Sequence, residues 1–360
     1  MQRKTDFRLY AVAIALAIGL TATAAQAKSN EANGGSSIVY YDTSGGSIAT
    51  ALKSSIFKNF TDSTGITILD DFNAGDTKFF AAEKAGQMPW SVVAFNTVAD
   101  GLRAEKQGLL LPIDQKEVPL NKLGKGSYDN YGIKGIIYGF VLTWNTKKWP
   151  LSGPHPSSMA DLYNTKKFPG KRCLYKGAQS GWTLESALLA DGVSPSRLYP
   201  LDVQRALKKL HTIKNDVVWW TSGAQSIQNF ETGECDLGIT WSARPWAAIT
   251  QDHAPLAISW NHAGYTSDML AVPKGAPNPS AGQKFLAHWI TDHKGQIDFV
   301  NQTGYPTNIT GLGVDRYAQG VQPYLAAGSQ LQQAIQENDS YYEKNLRSVT
   351  QQFIQWLVLP

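Results

Sequence analysis

The segment 219–246, with the sequence WWTSGAQSIQNFETGECDLGITWSARPW, combines helix and strand signals that constrain the fold of this chain. Ser222 and Gly223 are residue types that begin helices, and a helical spacing of apolar residues follows them. Residues 236–241 (DLGITW) are predicted to be a buried strand that ends at Trp241. In an open α/β sheet, helix N-termini and the carboxyl ends of strands face the ligand crevice. The segment therefore predicts an α/β fold with a ligand near Ser222 and Trp241.

A β-loop-α-β pattern near residue 40 supports the same fold class. Residues 38–41 (IVYY) are a predicted strand, the helical pattern that follows reaches Phe60, and a second strand begins at Ile66. Two strands joined through a helix lie parallel in one sheet. Later in the chain, further strands are predicted at residues 138–145, 257–260 and 265–273.

The first 27 residues have the three parts of a secretory signal peptide. Arg3, Lys4 and Arg8 form its basic region, and residues 9–20 form an apolar core that is too short to span a bilayer. A cleavage motif, AQA, ends at residue 27, so the sequence predicts a periplasmic protein. A retained signal anchor is the alternative. Residues 28–37 are polar and rich in glycine and serine, which predicts a disordered leader.

Charge and composition narrow the class of partner. Cleavage removes three basic residues and one acidic residue, so the formal charge falls from +4 to +2. Without a basic tract, the chain lacks the electrostatic footprint of a nucleic-acid-binding protein. The 11 tryptophans and 15 tyrosines are more than a core requires, which favours a ligand site with aromatic walls.

The two cysteines, Cys173 and Cys235, lie next to predicted strands. An oxidising compartment favours a disulfide bond between them if those strands are neighbours, and two buried thiols are the alternative. The spacing of 62 residues and the lack of a His/Cys cluster argue against a metal site. We therefore expect neither a metal nor another cofactor.

The chain resembles the solute-binding proteins of bacterial ABC importers, in particular the spermidine/putrescine branch, across nearly all of the sequence after residue 27. The resemblance is carried by an ordered set of segments: YYDTSGG, NFTDSTGITI, WSVVAFNT, YGIKGIIYGFVLTWNT, LESALLADGV, SGAQSIQNFETGECDLGITW, SDMLAVPKGAPN and TGYPTN. It implies a type II periplasmic-binding-protein fold, in which two lobes joined by crossover strands close on the ligand by a hinge. Residues 38–145 and 266–315 are the predicted lobe 1, and residues 146–265 and 316–360 are the predicted lobe 2.

The same resemblance implies site residues for a small amine. Asp268, in TSDML, matches a carboxylate that pairs with a ligand ammonium, and Trp241 matches an aromatic that lies against ligand methylenes. Tyr305, in GYPTN, matches a cleft tyrosine, and Tyr41 matches an aromatic of the first loop.

One departure from the polyamine binders bears on the ligand. The segment 179–182, QSGW, lies where those proteins carry acids for a second ammonium, and the next acid is Glu185, one helical turn further on. An unpaired buried charge costs about 3–5 kcal/mol, so a diamine needs two carboxylates. With Asp268 as the candidate carboxylate and Trp182 completing the aromatic box, the sequence fits a monoamine or amino-carboxylate at least as well as a polyamine.

An anionic end of such a ligand has two candidate partners. Arg244 is unsuited to an ammonium but suited to a carboxylate, although it could also pair with an acidic side chain. Ser44 and Ser222 precede predicted helices, where backbone N–H groups bind anions, although these serines could simply cap the helices.

Other classes fit the sequence less well. A secreted hydrolase lacks support because there is no G-x-S-x-G elbow and the six histidines form no HExxH motif. A ferric-ion binder of the same fold could use Tyr341 and Tyr342, and an anion binder could use helix N-termini alone. We expect a monomeric protein without enzymatic activity that delivers its ligand to an inner-membrane ABC permease.

Overall fold

The computed structural model describes residues 36–72, 75–309 and 311–359. The predicted signal peptide (1–27) and residues 28–35 of the predicted leader lie outside these ranges. Ser37, the last residue of that leader, begins the first strand because it pairs with Thr67 of the neighbouring strand. Among the described residues, none of the helices combines the length and apolar character that crossing a bilayer requires.

Strands and helices alternate along most of the chain. The strands are β1 (Ser37–Asp42), β2 (Thr67–Asp71), β3 (Val92–Phe95), β4 (Gly132–Asn145), β5 (Arg172–Tyr175), β6 (Val217–Trp220), β7 (Leu237–Trp241), β8 (Leu256–Ala271) and β9 (Ile335–Gln336). The α-helices are α1 (Gly46–Leu52), α2 (Lys58–Thr64), α3 (Thr77–Lys84), α4 (Val98–Lys106), α5 (Met159–Tyr163), α6 (Thr183–Ala190), α7 (Val203–His211), α8 (Gly223–Glu231), α9 (Ala243–Thr250), α10 (Pro279–Thr291), α11 (His293–Thr303), α12 (Ser329–Gln333) and α13 (Asp339–Val358). A π-helical turn, Lys53–Phe57, joins α1 to α2.

The strands form one mixed sheet in the order β2-β1-β3-β8-β4-β7-β5-β6, and β9 pairs with β8. β1 is parallel to β2 and β3, and β5 is parallel to β6 and β7, as expected for strands joined through helices. The two parallel groups flank a central antiparallel pair, β4 and β8. The carboxyl ends of β1, β3, β5 and β7 therefore converge on the middle of the molecule.

The central strands are longer than the sequence pattern predicts. β8 runs over 16 residues, whereas the apolar pattern predicts two strands, at 257–260 and 265–273. The interruption at Asn261 and His262 coincides with a register shift against β4, where pairing jumps from Phe140 to Leu142. An irregularity of this kind bends a strand without ending it. Because polar residues occupy the bend, the apolar pattern stops there although the strand continues.

Two large hydrophobic cores lie on the two parallel groups of strands. The first contains residues of β1, β3, α10 and α11, including Tyr40 and Phe285. The second contains residues of β5, β7, α6, α7 and the C-terminal helix α13. The first core also includes the segment 317–325, which the predicted boundaries place in lobe 2. The lobe boundaries themselves stay a prediction.

A disulfide bond joins Cys173 of β5 to Cys235, which precedes β7, with 5.8 Å between the Cα atoms. Both cysteines are buried in a small apolar cluster with Trp220 and Phe230. The bond therefore ties together two neighbouring strands whose far ends, Tyr175 and Trp241, lie in the candidate site described next.

Candidate ligand-binding site

A cavity of about 210 Å³ lies where the two parallel groups of strands face each other, and we call it the cleft cavity. The last residues of four strands line it, as expected for a ligand site at the carboxyl ends of parallel strands. Its complete lining is Asp42, Thr43, Ser44, Gly45, Ile48, Ala94, Phe95, Asn96, Ile136, Tyr138, Tyr175, Ser180, Trp241, Arg244, Asp268 and Tyr305.

Two buried carboxylates line the cleft cavity. Asp268 of β8 is 8% exposed, and its Oδ1 accepts a hydrogen bond of 2.6 Å from the backbone N–H of Ile136. Asp42, at the end of β1, is 4% exposed and has no salt bridge with any described residue. Burial raises the pKa of both carboxyl groups, and the negative charge of Asp42 raises the pKa of Asp268 further. A ligand cation would therefore gain more here than at an exposed carboxylate.

Both hydrogen-bond donors of Ser44 are bonded to Asp42. Its hydroxyl and its backbone N–H both donate to Asp42 Oδ1, at 2.5 Å and 2.6 Å. These bonds fix the orientation of the carboxylate at the mouth of the loop after β1. They also occupy the donors that the sequence suggested for an anion, so Ser44 lines the cavity as the partner of an acid.

Arg244, in the first turn of α9, brings the positive charge to the cleft cavity. Its Nε is buried and has no hydrogen-bond partner among the described residues. The guanidinium lies close to Tyr305, where it partly offsets the rise in the pKa of the tyrosine that burial causes. A buried donor without an acceptor costs about 1–3 kcal/mol, so this position favours a ligand that supplies an acceptor.

Gly223 makes the position of Arg244 possible. A Cβ at this glycine would lie 2.4 Å from Arg244 Nε and 2.9 Å from Trp241 Cε3. The N-terminus of α8 therefore packs directly against both side chains. Ser222 caps that helix by accepting the backbone N–H of Gln225 at 3.2 Å.

Aromatic side chains enclose the space between the charged groups. Tyr175 packs against the ring of Trp241, with 5.9 Å between centroids, and Trp241 Nε1 donates to the carbonyl of Ser180 at 2.8 Å. Tyr138 of β4, which also lines the cavity, donates its hydroxyl hydrogen to the carbonyl of Asn96. Such rings attract an ammonium by cation–π interaction and cover methylene groups.

Five of the predicted site residues meet in the cleft cavity, namely Ser44, Trp241, Arg244, Asp268 and Tyr305. Tyr41, Trp182 and Ser222 are not among its lining residues. Tyr41 is fully buried against Trp90 because alternate residues of a strand face opposite sides, so Asp42 faces the cavity and Tyr41 does not.

Trp182 and Ser222 are held by other contacts. Trp182 is 1% exposed, stacks on Phe140 and donates from Nε1 to the carbonyl of His262 at 3.0 Å. It belongs to the second core. Ser222 is exposed and serves as the helix cap described above.

Asp42, Tyr138, Tyr175 and Ser180 line the cleft cavity although the sequence did not single them out. The sequence did contain one indication for two of them. Asp42 and Tyr175 each end a short buried strand, and ligand sites of α/β sheets lie at the carboxyl ends of strands. Ser180 carries no such signal because its position depends on an irregular loop. Tyr138 lies within a continuous strand, where periodicity does not distinguish a cavity from a core.

The residues suggested for iron lie away from the cleft cavity. Tyr342 is fully buried, with its hydroxyl 2.5 Å from Glu185 Oε1 and 2.9 Å from the carbonyl of Ala178, while Tyr341 packs against Tyr199. Within residues 36–72, 75–309 and 311–359, no three or more His, Cys, Asp or Glu side chains are grouped as a metal site would require.

Comparison with known proteins identifies the class of site. Residues 55–317 match the family of bacterial extracellular solute-binding proteins. The gamma-aminobutyric acid-binding protein of Pseudomonas aeruginosa PAO1 is 32% identical over 250 residues, which are 68% of this chain and 69% of that protein. These matches are to solute-binding proteins and not to enzymes.

Solved structures agree with this match over most of the chain. The Atu4243 GABA receptor is 32% identical with a TM-score of 0.81, covering 90% of this chain and 98% of the receptor. An ABC transporter substrate-binding protein from Bradyrhizobium japonicum USDA 110 is 28% identical with a TM-score of 0.81, covering 89% and 99%. AgtB of A. tumefaciens R10, in complex with agropinic acid, is 25% identical with a TM-score of 0.76, covering 90% and 99%.

These similarities confirm the predicted type II periplasmic-binding-protein fold and the predicted role as a solute-binding protein of an ABC transporter. The spermidine/putrescine branch stays a prediction. With a family match over most of its length and a relative above 30% identity, the chain belongs to the family of bacterial extracellular solute-binding proteins.

Proposed function

We propose that this protein captures a small amino-carboxylate of the 4-aminobutyrate type and delivers it to an ABC permease. The observation that carries the proposal is the charge arrangement of the cleft cavity. Two buried carboxylates, Asp42 and Asp268, line the same cavity as Arg244, whose Nε has no hydrogen-bond partner among the described residues. A ligand with one charge of each sign would satisfy both.

The ammonium group of such a ligand belongs beside Asp268. This carboxylate is buried without a described cation, so a ligand ammonium would restore the favourable interaction that burial removes. Asp42 adds negative charge at the same place, and its two bonds from Ser44 keep it directed into the cavity. The methylenes between the two charged ends of the ligand would lie against Tyr175 and Trp241.

The carboxylate group belongs beside Arg244. A hydrogen bond between a guanidinium and a carboxylate is charge-assisted and roughly twice as strong as one between neutral groups. Relatives support this ligand class, since one similar protein is a gamma-aminobutyric acid-binding protein and another is a GABA receptor. In AgtB the bound molecule is agropinic acid, another acid.

A diamine is the second candidate, because the structure adds Asp42 to the one carboxylate that the sequence suggested. The same cavity is lined by the positively charged Arg244, however. Its charge repels a second ammonium group, which disfavours putrescine relative to 4-aminobutyrate.

The site of action and the partner follow from the family and the sequence. We infer that residues 1–27 direct the chain to the periplasm, where it works as a monomer and performs no chemistry. Closure of the two lobes on the ligand would present a distinct shape to the inner-membrane permease. Nucleic acid is not an expected partner at this near-neutral charge.

Isothermal titration calorimetry of residues 28–360 against four matched ligands tests the proposal. The ligands are 4-aminobutyrate, putrescine, butylamine and butyrate, which keep the four-carbon chain and vary the charged ends. We expect 4-aminobutyrate to bind at least tenfold more tightly than each of the others. Tighter binding of putrescine would replace the amino-carboxylate with a diamine, and no binding of any of the four would reject the proposal.

A further inference from the structure

The loop between β5 and α6 has an unusual backbone. Ser180 and Trp182 both have φ = 60°, in the left-handed region that non-glycine residues rarely adopt. Each such residue costs on the order of 1 kcal/mol or more, so the loop keeps this conformation only because its surroundings hold it. Gly181 between them packs against Tyr175, since a Cβ there would lie 2.4 Å from that ring.

The carboxyl group of Glu337 accepts two hydrogen bonds from this loop. Its Oε2 accepts the backbone N–H of Ser180 at 3.0 Å, and its Oε1 accepts from Gln179 Nε2 at 3.1 Å. The carboxyl group is 1% exposed, and the backbone N–H of Glu337 donates to the carbonyl of Tyr265 in β8 at 2.8 Å. A residue near the C-terminal helix thus fixes a loop at the cleft cavity to the central strands.

Ser180 also lines the cleft cavity. Its carbonyl accepts from Trp241 Nε1, and its hydroxyl lines the cleft cavity. That hydroxyl is buried beside the Tyr138 hydroxyl, where it partly offsets the rise in the pKa of the tyrosine that burial causes, but no hydrogen bond of good geometry to it is formed among the described residues. Buried hydroxyl groups are normally paired, and the same cavity is lined by Arg244, whose Nε also lacks a partner among the described residues.

Resting on the proposed function, we infer that the Ser180 hydroxyl donates to the carboxylate of the ligand beside Arg244, and that Glu337 is the positioning residue that aims it. Ser180 then favours ligands that carry a carboxylate, while Asp268 binds the ammonium group at the other end. Burial and the charge of Glu185 raise the pKa of Glu337, which lowers the tendency of its carboxyl group to ionise.

The substitution Ser180→Ala tests the first part, because it removes the hydroxyl and keeps the backbone bonds to Glu337 and Trp241. We expect calorimetry to show affinity for 4-aminobutyrate reduced about ten- to hundredfold, with affinity for butylamine unchanged. The exposed Ser196→Ala is the matched control and should leave both affinities unchanged.

Variants of Glu337 test the second part. Glu337→Ala should weaken 4-aminobutyrate binding by a similar factor, whereas Glu337→Gln should restore it, because the amide oxygen still accepts the Ser180 N–H. The double variant Ser180→Ala/Glu337→Ala should bind no more weakly than the weaker single variant, since both act on one hydrogen bond. If Glu337→Ala does not fold, Glu337→Asp replaces it, because it keeps the carboxyl group but shortens its reach.

The outcomes separate this inference from the proposed function. If the unmodified protein does not bind 4-aminobutyrate, the proposed function fails and the inference fails with it. If the unmodified protein binds and Ser180→Ala binds equally well, the inference alone is overturned. Additive losses in the double variant would show that Glu337 does not act through Ser180.

Discussion

Asp42 and Asp268 reach the same cavity from the end of β1 and from the central strand β8, and the charge of Asp42 raises the pKa of Asp268. Two buried carboxylates repel each other unless one of them is protonated or a cation lies near both. A ligand ammonium at this place would reduce the repulsion. The first two predictions follow from this pair.

Asp268→Asn should weaken binding of 4-aminobutyrate by about 2–5 kcal/mol, as expected when one partner of a buried charged pair is removed. The amide Oδ1 can still accept the N–H of Ile136, so the variant should fold normally. Calorimetry measures the loss, and circular dichroism checks the fold. The exposed Asp62→Asn is the control and should bind like the unmodified protein. Equal affinity of Asp268→Asn would remove Asp268 from the site.

The stability of the ligand-free protein should fall as the pH rises above the ordinary aspartate pKa of 3.8. The folded state keeps protons on Asp42 and Asp268 to a higher pH than the unfolded chain does, because both pKa values are raised. Stability that these protons provide is present at low pH and is lost as the pH rises through the raised values. Urea unfolding at a series of pH values should show a shallower decline for Asp268→Asn. An equally steep decline would contradict the prediction.

Arg244→Gln should reduce affinity for 4-aminobutyrate by about 2–5 kcal/mol and leave butylamine binding unchanged or improved. The guanidinium is a positively charged donor that lines the cleft cavity, and butylamine has no carboxylate to pair with it. Competition calorimetry with both ligands measures the two affinities. Arg316→Gln, at an exposed position, is the matched control. A parallel loss for both ligands would indicate a structural role for Arg244.

Gly223→Ala should weaken ligand binding by at least tenfold. The new Cβ would meet Arg244 Nε at 2.4 Å and Trp241 at 2.9 Å, so one or both side chains must move. Gly320→Ala, where nothing lies within 4 Å of the added atom, is the control. Titrations and thermal melts of both variants measure affinity and stability separately. Unchanged affinity for Gly223→Ala would show that the position of Arg244 does not matter for binding.

Replacing both Cys173 and Cys235 with alanine should lower the free energy of unfolding by about 4 kcal/mol, the chain-entropy value for a loop of 62 residues. Urea unfolding measures the change, and the unmodified protein under reducing conditions should behave like the variant. A midpoint that neither substitution nor reductant moves would mean that the bond is not formed in solution.

Part of the site was predicted from the resemblance to solute-binding proteins, which supplied Asp268, Trp241 and Tyr305. The pattern of the sequence supports two of them, since Trp241 ends a predicted strand and Asp268 lies in an otherwise apolar one. The pairing of parallel strands through helices was equally visible around residues 38–69. Neighbouring residues of β1 face opposite sides of the sheet, but the sequence YYD does not show which of them faces the ligand. Only the packing of Tyr41 against Trp90 decides this.

The remaining residues depend on contacts between distant parts of the chain. Ser180 lies in a loop with left-handed residues, and its backbone N–H is bonded to Glu337, 157 residues away. Tyr175 is positioned by the lack of side chains at Gly177 and Gly181, which is a property of the folded loop. No local periodicity reports such contacts.

A crystal structure of the protein bound to 4-aminobutyrate tests the charge arrangement of the cleft cavity most directly. We expect the ammonium nitrogen within hydrogen-bond distance of Asp268 and the carboxylate on Arg244 and Ser180, with the methylenes between Tyr175 and Trp241. A ligand bound in the reverse orientation, or bound outside the cleft cavity, would contradict the proposed recognition of an amino-carboxylate.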